Sequence, residues 1–402
     1  MSNDEQKDFG RRVAFLRKRL GYSQSELARK ISRSETWLSQ VERGVRRLDR
    51  MSVLEKLADA LDVPVTELAP AQSLIATRSD KPAPASTLAL TLASNSALRA
   101  VVEMPEPADL TDVEERTDRA WELTHASRYE ETAELLVELV ADIEPLVRQT
   151  PEPDRVRALT AKSRIYLAAA GALSKLGDNG AAWVAIDRAS AAAEELDEPL
   201  MMAEAAFRLA IAFQAARRYD LALQVAGTAA EAIETLAVTD DAAPPAVAIF
   251  GALHLQLAVA AARSGEAEDA YRHLNTARSA AERIGEGRND YDTEFGPANV
   301  NLHEVAVAVA LGDAGRALRV AEHADQSTLS AERRARLLID VAAANQQLRR
   351  TTEVVATLTT AAEIAPEQIA NHNRARELIS DLLHERAYDD DVRALAELTR
   401  GG

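Results

Sequence analysis

The chain has 402 residues, too many for one small core, and 47% of them are apolar, which is ample for packed domains. It contains no cysteine, which excludes disulfides, thiol nucleophiles and thiolate metal sites. The total charge of −17 argues against nucleic acid only until its distribution is read. Residues 11–50 hold 12 Lys/Arg against 4 Asp/Glu, a local +8 that leaves −25 on the remainder. Aromatic residues are 4% of the chain, and Ala, Leu, Val, Glu and Arg dominate, a mix that favours helices over strands. The N-terminus has no apolar core of a signal peptide. No uncharged apolar stretch of membrane-spanning length is expected, so the reading is no membrane and a cytoplasmic location.

Taken in chain order, Phe9, Val13, Leu16 and Leu20 predict an amphipathic helix over 8–19, ended by Gly21. Ser23-Gln24-Ser25-Glu26 is a capping box that starts a second helix, running to about residue 31. Ser34 caps a third over 35–43, stopped by Gly44. Val53, Leu54, Leu57, Ala58 and Leu61 predict a fourth over 52–61, and Pro64 opens a short fifth over 65–68. Residues 1–70 therefore read as one small five-helix domain. Residues 71–110 read as a proline-rich linker, with 88–102 apolar enough to form a docked helix.

From residue 111 to 402 the chain reads as helical almost throughout. A tight turn followed five positions on by a small residue recurs at Gly177…Ala182, Arg217…Ala222, Gly265…Ala270 and Gly312…Ala317. RYEETA at 128–133 and RYDLA at 218–222 look like one unit slightly out of register. The spacing exceeds the 34 residues of a strict tetratricopeptide repeat, but small residues in this frame let paired helices approach closely. The expected fold is all-α: the small domain, then an α-solenoid of tetratricopeptide-like repeats that senses an effector and dimerises.

GYSQSELARKI, SETWLSQVERG and LEKLADALDVPVTEL, between residues 21 and 68, resemble the Xre/Cro-like helix-turn-helix family. In that geometry the second helix lies across the phosphates and the third enters the major groove. The resemblance implies a double-stranded DNA operator as partner. Gln24 would meet a phosphate at a helix N-terminus. Ser34, Glu35, Thr36, Ser39 and Gln40 would face the groove, with Glu35, Thr36 and Gln40 on base edges. Arg43, Arg46, Arg47 and Arg50 would contact phosphates. Arg17 and Glu42 match an internal ion pair of the family, so Glu42 is read as structural. Ser32 stands where the family usually has glycine in a left-handed turn.

No nucleophile elbow, P-loop, zincin or dinucleotide motif occurs, so no enzyme activity, cofactor or metal is expected. One segment breaks the repeat pattern: NDYDTEFGPANVNLH, residues 289–303. It gathers Asn289, Tyr291, Phe295, Asn299 and His303, and polar Arg208, His254 and Asn345 punctuate other apolar helices. These eight are the expected effector-binding residues, with Arg208 suited to a carboxylate or phosphate. The layout resembles the peptide-pheromone receptor regulators of Gram-positive bacteria, and more closely a group of longer actinobacterial regulators. That resemblance implies a homodimeric transcription regulator, a peptide or small-molecule effector and a role in quorum sensing. The alternative is a repeat scaffold that docks a protein partner while anchored to DNA.

Overall fold

The structure is a computed structural model that describes residues 3–20, 22–31, 33–44, 56–58, 60, 61, 63, 82–93, 102, 106–385 and 389–399. The described residues are all-α and fall into two compact units, Met1–Lys81 and Pro82–Gly402.

The first unit contains α1 (Asn3–Arg19), α2 (Gln24–Lys30) and α3 (Glu35–Glu42). The capping box at Ser23 forms in both directions: its hydroxyl accepts from the Glu26 N–H at 3.1 Å, and the Glu26 carboxylate accepts from the Ser23 N–H at 2.7 Å. Ser34 caps α3 by accepting from the Trp37 N–H at 3.2 Å. Phe9, Val13 and Leu16 of α1 pack against Leu27, Ala28 and Ile31, against Leu38 and Val41 of α3, and against Leu57, Ala58, Leu61 and Val63. The fourth expected helix is described only in part. The fifth, the turn at Ser32, and Arg46, Arg47 and Arg50 lie outside the described residues.

The second unit opens with α4 (Ala83–Ala93). Its Ala85, Leu88 and Leu92 are buried in the core of the first repeats, so this part of the proline-rich stretch is packed structure. Six antiparallel helix pairs follow: α5 (Leu110–His125) with α6 (Tyr129–Gln149), α7 (Glu152–Lys175) with α8 (Asn179–Glu195), and α9 (Pro199–Ala215) with α10 (Tyr219–Ala237). Then come α11 (Pro244–Ser264) with α12 (Ala267–Ile284), α13 (Pro297–Ala310) with α14 (Ala314–His323), and α15 (Ala331–Gln347) with α16 (Thr351–Ile364). The short α17 (Pro366–Asn371), α18 (Asn373–Glu385) and α19 (Asp390–Leu398) close the array.

Each pair turns on a residue with left-handed backbone: Ser127, Gly177, Arg217, Gly265, Gly312 and Arg349. Such a residue ends the first helix by letting the chain reverse over its last carbonyls. Five positions on stands a buried residue, Thr132, Ala182, Ala222, Ala270, Ala317 or Val354, where the second helix meets the first. Three turns use Ser or Arg in place of glycine, which is why the sequence shows the frame only partly.

One sequence expectation is corrected here. The helix α11 is long and apolar enough to cross a membrane, and Pro244 to Ala262 carries no charged side chain. It is apolar because both of its faces are covered: it packs between α10, α12, α9 and α13, and nearly all of it is buried.

The array curls until its first pair meets its last. The Tyr129 hydroxyl donates to Gln368 Oε1 at 2.6 Å, and the Tyr129 N–H donates to Glu367 at 2.7 Å. Lys175 of α7 pairs with Glu332 of α15. Between these converging first helices lies a cleft.

Candidate effector cleft and DNA-reading surface

The segment between α12 and α13 is held from four sides. Tyr291, Asp292 and Glu294 all have left-handed backbones without being glycine, a conformation that costs energy and persists only when surroundings fix it. Arg208 of α9 donates to the carbonyls of Tyr291 and Asp292 at 3.1 and 3.0 Å. Arg164 of α7 pairs with the Asp292 carboxylate at 3.0 Å. Arg333 of α15 donates to the Thr293 carbonyl, and the Glu294 carboxylate accepts from Arg333 and from the Ser330 N–H and hydroxyl. From inside, Asn299 of α13 donates to the carbonyls of Thr293 and Glu294 at 3.2 and 2.9 Å.

These contacts locate the eight expected effector residues. Asn289 closes the loop by accepting from the Glu294 N–H at 2.9 Å. Phe295 is buried with its ring on Gly251 of α11, where any Cβ would sit 2.0 Å from the ring. Asn299 and His303 are buried on α13, and the His303 Nδ1 lies 2.8 Å from the Asn299 carbonyl. Asn345 is buried on α15. His254 stacks against Phe250 and His273. Tyr291 is half-buried, with burial pushing its hydroxyl up to about 12. Among the eight, Arg208 is the one that lines the cleft.

The cleft itself encloses about 800 Å³ when counted out to its open mouth, solvent included. Its apolar lining is Trp121, Ala170, Gly171, Ala182, Ile186, Ile211 and Ala212. The polar and charged lining is Thr124, His125, Ser174, Lys175, Arg208, Asp292, Glu294, Glu332, Arg333 and Arg336. Arg208 stacks its guanidinium 4.8 Å from the Trp121 ring centre, where the two kinds of lining meet. Burial works to raise the Glu332 carboxyl, but Lys175, Arg333 and Arg336 outweigh it and hold it far below the usual range. Burial lowers Lys175 against the pull of Glu332. Beneath Arg208, burial pushes the Glu204 carboxyl up to about 8 despite the arginine.

In the first unit, α3 keeps Leu38 and Val41 in the core and leaves Glu35, Thr36 and Arg43 exposed, with Ser39 and Gln40 half-buried on the same side. Ser34 holds the start of this helix, so its hydroxyl is engaged in capping. The Arg17 guanidinium grips Glu42 bidentately at 2.6 and 2.9 Å and donates to the Tyr22 carbonyl. Gln24 donates to the same Glu42 carboxylate at 2.7 Å. One carboxylate therefore ties α1, the start of α2 and the end of α3 into one orientation.

Residues 8–71 match the family model described as a helix-turn-helix domain. They form a helix-turn-helix domain. A curated relative, the HTH-type transcriptional regulator SlrR of Bacillus subtilis (strain 168), is 38% identical over 66 residues, which are 16% of this chain and 43% of that protein. The match thus spans less than half of SlrR. The crystal structure of Bacillus thuringiensis PlcR in complex with the peptide PapR7 and DNA aligns over 96% of this chain and 99% of that one, at 13% identity and a TM-score of 0.32. ComR from Streptococcus suis aligns over 72% and 93%, at 15% identity and a TM-score of 0.25.

The helix-turn-helix domain was legible in sequence down to the Arg17–Glu42 pair. The cleft was not. Lys175, Arg333, Arg336, Trp121 and Gly171 were missed, although ERRAR at 332–336 puts an unusual charge density on a repeat's first helix.

Proposed function

We propose that the chain is a sequence-specific DNA-binding transcriptional regulator that works as a homodimer and holds a small effector in the cleft of its repeats. The supporting observation is α3: a helix fixed by one face, with Glu35, Thr36, Ser39, Gln40 and Arg43 on the other, set in a segment of local charge +8. Glu, Thr and Gln can each read a base edge, and the arginines, with Arg46, Arg47 and Arg50, supply phosphate contacts. Gln24 is engaged with Glu42, so at that position the free N–H groups at the start of α2 are the better phosphate donors. A single small head makes few contacts, so two heads on half-sites about one helical turn apart are expected. An effector would shift operator affinity by favouring one arrangement of the pair; a tenfold shift needs about 1.4 kcal/mol.

The experiment is selection of a duplex library by the full chain, followed by titration of variants. Gln40→Ala costs about 1–3 kcal/mol on the selected site and relaxes preference at one base pair. Arg47→Ala weakens all sequences alike and flattens the salt dependence. The selected site is palindromic and binds two chains. Identical behaviour of the two variants across the library, or one chain per site, contradicts the reading.

A further inference from the structure

The charges of the cleft do not balance, and the imbalance indicates what it binds; this rests on the effector reading above. Three carboxylates line it, and each is taken. Glu332 belongs to Lys175, Glu294 to Arg333 and Asp292 to Arg164. Asp340, one turn along α15, belongs to Arg374 at 2.6 Å. Arg208 gives one terminal nitrogen to two loop carbonyls and its face to Trp121, with only its buried Nε left unpartnered. The whole guanidinium of Arg336 is left. Its half-buried guanidinium lines the cleft with no hydrogen-bond acceptor and no carboxylate at ion-pair distance among the described residues; Glu332 and Asp340 act on it only through space. A guanidinium held out of bulk water without a counter-ion is costly, and its planar fork matches an oxyanion.

The apolar lining carries a second, independent signal. Gly171 lies one turn before the C-terminal end of the 24-residue helix α7, still at a helical position where glycine is disfavoured. No close packing demands it, because a Cβ built there meets nothing within 4 Å. Glycine at this place keeps the apolar wall flat beside Trp121, Ile186 and Ile211.

We propose that the cleft binds a small amphiphilic anion: one oxyanion group held by Arg336, and an apolar body laid against the Gly171 wall. The test uses two dyes that share an anilinonaphthalene ring system. 8-Anilinonaphthalene-1-sulfonate carries the anion and N-phenyl-1-naphthylamine does not, and both brighten in apolar surroundings. On the full chain each binds once. Arg336→Gln weakens the sulfonate by about tenfold or more, as expected for a charge-assisted hydrogen bond, and leaves the neutral dye unchanged. Arg336→Lys recovers part of the loss. Gly171→Leu expels both dyes while circular dichroism and the melting temperature stay as in the parent.

Equal loss of both dyes in Arg336→Gln, or no loss of either, overturns the anion assignment. So does a neutral molecule found by native mass spectrometry and expelled by Gly171→Leu, but effector sensing then stands. If no dye and no co-purified molecule responds to Gly171→Leu, both readings fall.

Discussion

Gly10 has no charge and no ligand to hold, yet the head depends on it. A Cβ there would lie 2.4 Å from the Val41 carbonyl oxygen and 2.6 Å from that of Glu42. Both obstacles are backbone, so neither can swing aside, and α1 would have to lift off α3. Overpacking of this kind costs about 1–3 kcal/mol or more, a large share of the stability of so small a unit. Calorimetry of Gly10→Ala in the full chain should show the helix-turn-helix transition lowered or lost and the repeat transition unmoved; a parent-like head transition would refute the contact. Gly10 is invisible to periodicity, because nothing in FGRR says that another helix crosses there. Arg17 and Glu42 were readable because two opposite charges fell on matching motif positions. Phe295 was misleading for the converse reason: an aromatic in a polar loop suggests a ligand wall, and only the Gly251 gap shows that it is a packing knob.

At the scale of elements, the loop before α13 and the helices around it divide the work differently from their sequence. Asn299, His303 and Asn289 drew attention as polar residues gathered at one break in the repeats. Asn289 and Asn299 hold the loop, His303 bonds back within α13, and the loop in turn offers Asp292 and Glu294 to the cleft. Three left-handed non-glycine residues cost on the order of 1 kcal/mol or more each, and the bonds from Arg208, Arg333 and Asn299 offset that strain. Asn299→Ala removes two of those bonds and should destabilise the repeat unit by about 1–3 kcal/mol. Amide exchange should quicken at residues 290–296 while α5 to α8 keep their protection. Unchanged exchange in the loop would mean that the arginines alone suffice. Sequence cannot make this distinction, because which face of α13 meets the loop depends on the path of the loop itself.

For the repeat unit as a whole, the curl that joins residues 239 apart at Tyr129 and Gln368 also decides how stability depends on pH. It brings His372 among Lys175, Arg336 and Arg374, with Glu332 opposing them; burial first, and then those cations, push its imidazole down to about 3. His303 is driven well below its ordinary value by burial, then by Arg336 and Arg333. His254, half-buried and 2.9 Å from the His273 ring, is pushed by desolvation and then by His273 and Arg272 to about 4. An imidazole depressed on folding takes a proton more readily when unfolded. These three therefore contribute stability that is full above about pH 6.5 and is lost as pH falls toward their folded values, by up to about 1.4 kcal/mol per pH unit each. Glu204 has the opposite sign: its carboxyl, raised by burial to about 8, keeps its proton in the fold after the unfolded chain has lost it, so stability falls as pH rises from about 4.5 to 8. Below pH 6.5 three imidazoles oppose one carboxyl and should prevail; between 6.5 and 8 the carboxyl acts alone. The melting temperature of the repeat transition should therefore peak near neutrality. His372→Gln should soften the acid limb and Glu204→Gln the alkaline limb, each leaving the other limb in place. A transition that climbs steadily through pH 8, or an acid limb indifferent to His372→Gln, would show that these groups are not held as the curled array places them.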